Sequence, residues 1–368
     1  MLLVKHYQFY KMKLISIIVL VVLCSLCAKS QQYPTVTIPG TEVRKITSAI
    51  VKGQEYELQI SLPAGYNAKK KYPVIYVMDS QWDFPLVKSI YGQQFFDGFI
   101  PEAIIVGVTW GGINPNPDSL RARDYTPTKE QRLVQSGGAD LFLDFMKKEL
   151  FQFIETNYYA DNQNRTLMGC SLGGLFTLYT LFTHTDMFMG YAAASPAVGW
   201  DNGVLYKFEK EFAAHKTNKP ISLYLTVGDV EKGSPLFEKM ATFLKNNKYP
   251  NMRIRSRVLE NTGHSGTKSE TYNRGLQFIF EKPDLQTDIS TLNKYVGIYE
   301  NADGKKVELK TENNQLVLSY SPVNTFPLKF AGKNSFYSNA QFLNIVFMPD
   351  AKTLQLNGYG KTDAYSRR

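Results

Sequence analysis

Apolar and polar positions alternate in the first part of the chain and then give way to runs that are apolar throughout. Residues 36–38, 43–51 and 56–62 read as strands, the last two with polar residues at alternating positions. Pro63-Ala64-Gly65-Tyr66 marks a turn, and Lys69-Lys70-Lys71-Tyr72-Pro73 is a solvated charge run. Residues 74–78 and 104–108 are continuously apolar, which a parallel sheet covered on both faces requires. Between Ala139 and Tyr158 the spacing becomes helical, with Phe142, Met146, Leu150, Phe153 and Ile154 on one face. Strands at 165–169, 191–195, 221–227 and 252–259 then alternate with helices that begin near Gly173 and at Ser234-Pro235, and a last helix covers 272–280. This alternation predicts an α/β fold with a doubly wound, mostly parallel sheet. After Glu281-Lys282-Pro283 the period changes again, to short runs at 295–299, 307–309, 316–320, 342–348 and 353–356. Asn313-Asn314, Pro349-Asp350-Ala351 and Gly358 fall in the turns beside them, so residues 289–368 read as a small all-β domain.

Composition agrees with a folded chain. At 368 residues, 43% hydrophobic and 20% charged, it can bury one large core with a smaller second domain, and collagen-like, coiled-coil and wholly disordered readings are excluded. The net charge of +9 invites a nucleic-acid partner until the first thirty residues are read. They hold Lys5, Lys11, Lys13 and Lys29, no acid, an apolar run at 14–28 and the small-residue exit Ala28-Lys29-Ser30. That is the pattern of a secretory signal peptide cleaved before Gln31, and it predicts export to a periplasm or beyond. Met12 would serve equally as the start. The apolar run is shorter than the roughly 20 residues of a spanning helix, which argues against a stable membrane span. Leu23 and Leu26 precede Cys24 and Cys27 where a lipid-anchoring box wants a small residue. Removing the leader lowers the charge to +5, because four of the 42 basic residues leave with it. No arginine-rich, aromatic-interleaved stretch remains to mark a nucleic-acid surface. The three cysteines fall to Cys170 alone, so no internal disulfide is expected.

Chemistry concentrates at Gly169-Cys170-Ser171-Leu172-Gly173-Gly174, between a predicted strand and a helix. In that context G-x-S-x-G is a nucleophile elbow, which needs small residues two places either side of the serine. A base must follow. His184 and His215 sit at helix ends, whereas His264, in Asn261-Thr262-Gly263-His264-Ser265-Gly266, follows the last strand of the sheet. The acid should lie between serine and histidine, and the loop Gly228-Asp229-Val230-Glu231-Lys232-Gly233 offers both Asp229 and Glu231. Oxyanion donors would be the backbone N–H of Leu172 and of Ser80 or Gln81 in the segment after residues 74–78. Trp82, Trp110 and Trp200 fall at predicted strand ends and could line a pocket or pack in the core. Arg121 and Arg123 read either as contacts to an anionic or catecholate substrate or as ion pairs with Asp124. With three histidines and one cysteine in the mature chain and no ligand spacing, no metal or organic cofactor is implied. Oligomeric state is not legible.

These residues resemble the esterase branch of the α/β-hydrolases, the group of esterase D, feruloyl esterases and enterochelin (siderophore) esterases. The resemblance covers about residues 40–282. It rests on Tyr76-Val77-Met78-Asp79-Ser80, Arg121-Ala122-Arg123-Asp124-Tyr125-Thr126-Pro127, the block 169–176, Ser195-Pro196 with Trp200-Asp201, and Gly263-His264-Ser265. The second and fourth blocks lie closer to the siderophore side than to the feruloyl side. The resemblance favours Glu231 as the acid, three residues after Gly228. Asp79-Ser80-Gln81 departs from the usual D-G, which leaves the second oxyanion donor open. Residues 289–368 are similar to the small β-domain appended to some secreted serine hydrolases. The expectation is an exported serine esterase acting on a small-molecule ester. A carbohydrate (acetyl or feruloyl) esterase, an acyltransferase and a non-catalytic binding module on the same fold stand as alternatives.

Overall fold

The computed structural model describes residues 36–215, 219–339, 343–358 and 361–368, so the predicted signal peptide and its cleavage site lie outside the described residues. Residues 36–39 carry no regular structure, contrary to the strand expected at 36–38. Within Gly40–Arg368 an eight-stranded sheet runs β1 (Thr41–Thr47), β2 (Glu55–Ser61), β4 (Ile104–Trp110), β3 (Tyr72–Val77), β5 (Ala160–Cys170), β6 (Gly190–Ala194), β7 (Ile221–Gly228) and β8 (Met252–Leu259). β1 and β2 are antiparallel to their neighbours, and the remaining pairs are parallel. Every residue of β3, β4, β6 and β7 is buried, as their uninterrupted apolar sequences require. Edge strand β8 instead exposes Arg253, Arg255 and Arg257 at alternate positions, and charge on an edge discourages pairing with another chain. Helices cover both faces. Ala192 and Tyr224 lie under Gly275 of helix Thr267–Ile279, while Tyr191 and Ala193 point the other way, into the main core with Phe142 and Phe176.

Two further segments differ from their sequence reading. β1 ends at Thr47 because the Ser48 hydroxyl accepts the N–H groups of Ile50 (3.1 Å) and Val51 (2.8 Å) and folds the chain into a turn. Residues 80–96, read only as the segment that follows residues 74–78, form a 17-residue helix, Ser80–Phe96. Its buried side includes Ser80, Asp83 and Gln94, and Pro85 lies inside it, so no apolar stripe marks it. A second helix, Pro117–Tyr125, carries both Arg121 and Arg123.

Residues 297–367 close into an eight-stranded antiparallel barrel, β9 (Gly297–Asn301) through β16 (Lys361–Arg367), in which β16 pairs with β9. Its interior holds Tyr299, Leu309, Leu318, Phe336, Ile345, Phe347 and Leu354. Asn313 and Asn314, at φ +49° and +59°, make the two-residue turn between β10 (Lys306–Glu312) and β11 (Gln315–Ser321). Strands β12 (Asn324–Gly332) and β16 bury only Leu328 and Tyr365 respectively, which explains why their sequences give no strand signal. Among the described residues no helix is long and apolar enough to cross a membrane. The architecture is therefore α/β, with a doubly wound, mostly parallel sheet followed by an all-β barrel.

Candidate active site

Ser171 stands between β5 and helix Leu172–Thr183 at φ +60°, ψ −116°, a conformation that L side chains rarely adopt. The turn is possible because Gly169 touches Gly173. A Cβ on Gly169 would stand 2.5 Å from the Gly173 carbonyl. The Ser171 N–H donates to Ala194 O (3.0 Å), and its carbonyl accepts from the N–H of Leu175 (2.9 Å) and Ala197 (3.1 Å), so the strain is held from β6 as well as from the helix. The neighbouring Cys170 thiol is pushed up to about 12, chiefly by burial, and stays neutral beside the serine.

Helix Ser80–Phe96 starts at Asp79, itself at φ +53°. The Asp79 carboxylate is gripped by Arg121, Nε to Oδ1 at 3.1 Å and Nη2 to Oδ2 at 2.9 Å, and Arg121 Nη2 reaches Cys170 O at 3.4 Å. Burial pushes the Asp79 carboxyl up, and the guanidinium opposes it. The Asp79 N–H donates to Tyr125 OH (3.1 Å). Trp82 and Asp83 N–H both use Asp79 O, so Ser80 and Gln81 keep their N–H groups ahead of the first intrahelical bond, as does Leu172 at the start of its helix. Asp83 then ties this helix to Thr267–Ile279, accepting from Lys268 Nζ (2.6 Å) and Tyr272 OH (2.5 Å).

Glu231 and His264 meet at 2.5 Å between Oε2 and Nδ1. The other carboxylate oxygen, Oε1, accepts from Ser195 Oγ (2.5 Å) and Gly228 N–H (2.8 Å). Burial pushes the Glu231 carboxyl up, but the bonds from Ser195, His264 and Gly228 outweigh it and hold it below the ordinary carboxylate value. Thr267 Oγ1 lies 2.8 Å from Ser195 Oγ and donates to His264 O (2.8 Å). Asp229 does not face His264; it accepts from the N–H of Asn261 (3.1 Å) and Thr262 (3.2 Å) and so braces the histidine loop. That loop crosses Gly228 so closely that a Cβ there would sit 1.8 Å from Thr262 O. No hydrogen bond joins Ser171 Oγ to His264 among the described residues, a gap common before substrate binds.

Trp82 is 50% exposed on the helix beside Asp79, with the Arg121 guanidinium 5.9 Å from its ring. Trp200 is half-buried, its Nε1 donating to Thr128 Oγ1 (3.1 Å). Arg123 lies in a different setting. It chelates Asp124 (2.6 and 3.0 Å), which also accepts from Tyr56 OH (2.8 Å) and Trp110 Nε1 (2.7 Å). His184 caps the end of helix Leu172–Thr183, and His215 follows helix Leu205–Ala213. Ser195 was read only as part of the Ser195-Pro196 block and Thr267 not at all, because neither announces in sequence a contact 36 or 72 positions away. Among the described residues no group of three or more His, Cys, Asp or Glu is placed to hold a metal.

The profile of the Esterase family matches residues 48–277, more than half of the chain. The chain belongs to this family. Its members include ester hydrolases, and several curated relatives of this esterase are themselves named as esterases. It is 34% identical over 211 residues to the Ferri-bacillibactin esterase BesA of Bacillus subtilis (strain 168), covering 53% of this chain and 72% of that one. It is 28% identical over 194 residues to the Siderophore triacetylfusarinine C esterase of Aspergillus fumigatus, covering 50% and 66%. Among solved structures, the BES protein from Bacillus cereus superposes with a TM-score of 0.62 at 27% identity, over 68% of this chain and 98% of that one. The Enterobactin and Salmochelin Hydrolase IroE, at 21% identity and a TM-score of 0.51, shares the fold. The family match ends before the barrel.

Proposed function

We propose that this esterase is an exported serine hydrolase that opens ester bonds of siderophore type. The observation that carries the reading is the Glu231–His264 contact, set on the loops after β7 and β8 at the same sheet edge as Ser171. Ser171 Oγ attacks the ester carbonyl while His264 Nε2 takes its proton, and the tetrahedral oxyanion accepts from the N–H of Leu172 and of Ser80 or Gln81. His264 returns the proton to the departing alkoxide, leaving an acyl-Ser171, and water repeats the sequence to release the acid. Glu231 holds Nδ1–H and stabilises the imidazolium. The half-exposed face of Trp82 and the partly exposed Trp200 suit an aromatic acyl group, and the relatives named as ferri-bacillibactin and triacetylfusarinine C esterases support a siderophore ester as substrate, for which a catecholate trilactone serves as the probe.

Ser171→Ala should abolish release of free acid from a catecholate trilactone, followed by product-resolved chromatography, while thermal unfolding stays within a few degrees of the parent. Undiminished turnover would overturn the serine mechanism, and turnover of simple aryl esters alone would overturn the siderophore assignment. Residues 1–30 are proposed as the export signal. N-terminal sequencing of the secreted or periplasmic chain should begin at Gln31, and an intact Met1 or Met12 terminus would refute cleavage there.

A further inference from the structure

A cavity lies away from Ser171, in the seam between the sheet and the barrel. It encloses about 580 Å³ and is walled by Phe95, Ile100 and Phe280 on one side and by Phe336 and Val346 on the other. That volume and apolar lining match small-molecule sites. One charged group is sunk into it. Lys282 Nζ donates to Gly98 O (3.2 Å) and to Asn344 Oδ1, and lies 5.6 Å from the centre of the Tyr337 ring. An ammonium has three N–H groups, and among the described residues no carboxylate comes within 4 Å of this one. Glu102, the acid on the cavity wall, is paired with Lys70 at 2.5 Å, and Lys361 adds a further cation at the rim. Burial lowers the Lys282 amine to about 8, as expected of an ammonium held from water without a counter-ion.

We propose that this seam binds a small amphipathic carboxylate, its head on Lys282 and its apolar body along Phe95 and Phe280. The charge of the head supplies the missing counter-ion, and the body covers aromatic surface that neither domain buries alone.

Calorimetric titration of the full-length Ser171→Ala protein with decanoate tests this without turnover. Saturable one-to-one binding is expected, weakened at least tenfold by Lys282→Met and by the cavity-filling Val346→Trp, and preserved within threefold by Lys282→Arg. Decanol, which lacks the charge, should bind weakly and be indifferent to Lys282→Met. Ester turnover by Lys282→Met and Val346→Trp on a background with Ser171 intact, together with circular dichroism, reports that these variants fold. Absence of binding to millimolar decanoate, or equal affinity in both variants, overturns the proposal. So does displacement of decanoate from wild-type protein by a fluorophosphonate at Ser171, which would place the ligand in the ester site.

Discussion

The hydroxyl of Ser195 joins three loops that are far apart in sequence. It sits at φ +40° with 4% of its surface exposed, and it links Glu231 to Thr267, whose own hydroxyl holds His264 O. In the proposed mechanism Ser195 is therefore a positioning residue for Glu231. Ser195→Ala removes a hydrogen bond to a charged group worth about 1.5 kcal/mol, so kcat should fall roughly tenfold with KM little changed. Losing that donor also raises the Glu231 carboxyl, so the acid limb of the pH–rate profile should move to higher pH. A purely structural role would lower the active fraction and leave the limb in place. The placement of Ser171 on a strand-to-helix turn and of His264 after the last sheet strand was legible because a glycine-flanked turn and a scarce histidine announce themselves locally. Ser195 was not, because a serine acquires meaning only from the carboxylate that folding brings to it. The choice between Asp229 and Glu231 was likewise a matter of direction, since neighbouring carboxylates on one turn point to different partners.

Among the elements, helix Pro117–Tyr125 does more than its short length suggests. Arg121 on one turn fixes Asp79 at the start of the helix that presents Ser80 and Gln81. Arg123 and Asp124 anchor the same helix to β2 through Tyr56 and to β4 through Trp110. Asp124→Ala would strand a half-buried guanidinium and two buried donors, a loss of about 3 kcal/mol that urea unfolding would read as an earlier midpoint with an unchanged slope. A substitution that left the midpoint in place would mean that this cluster is not what secures the helix. The central strands β3, β4, β6 and β7 were legible because each is apolar on both faces. Helix Ser80–Phe96 was not, because Asp83 and Gln94 are buried through partners on helix Thr267–Ile279, and such pairing is invisible to periodicity.

For the whole molecule, stability and pH are coupled through the same carboxylate. Glu231 is held below its ordinary value of 4.5, so in the folded state it favours the ionised form. Its contribution is present at neutral pH and is lost as pH falls below 4.5 through the folded value. The stability gap between the parent and Glu231→Gln, measured by urea unfolding, should narrow from pH 7 to pH 3. A gap that widened on acidification would contradict the hydrogen-bond network drawn around Oε1. The barrel adds a consequence of another kind. Its first strand, β9, is completed by its last, β16, through Tyr365, Ser366 and Arg367. During synthesis the esterase portion has all its strands before the barrel begins, whereas β9 must wait with an open edge until Arg367 has been made. A pause in translation or a stop codon a few residues early would thus leave a finished hydrolase trailing an unclosed, self-adhesive ribbon.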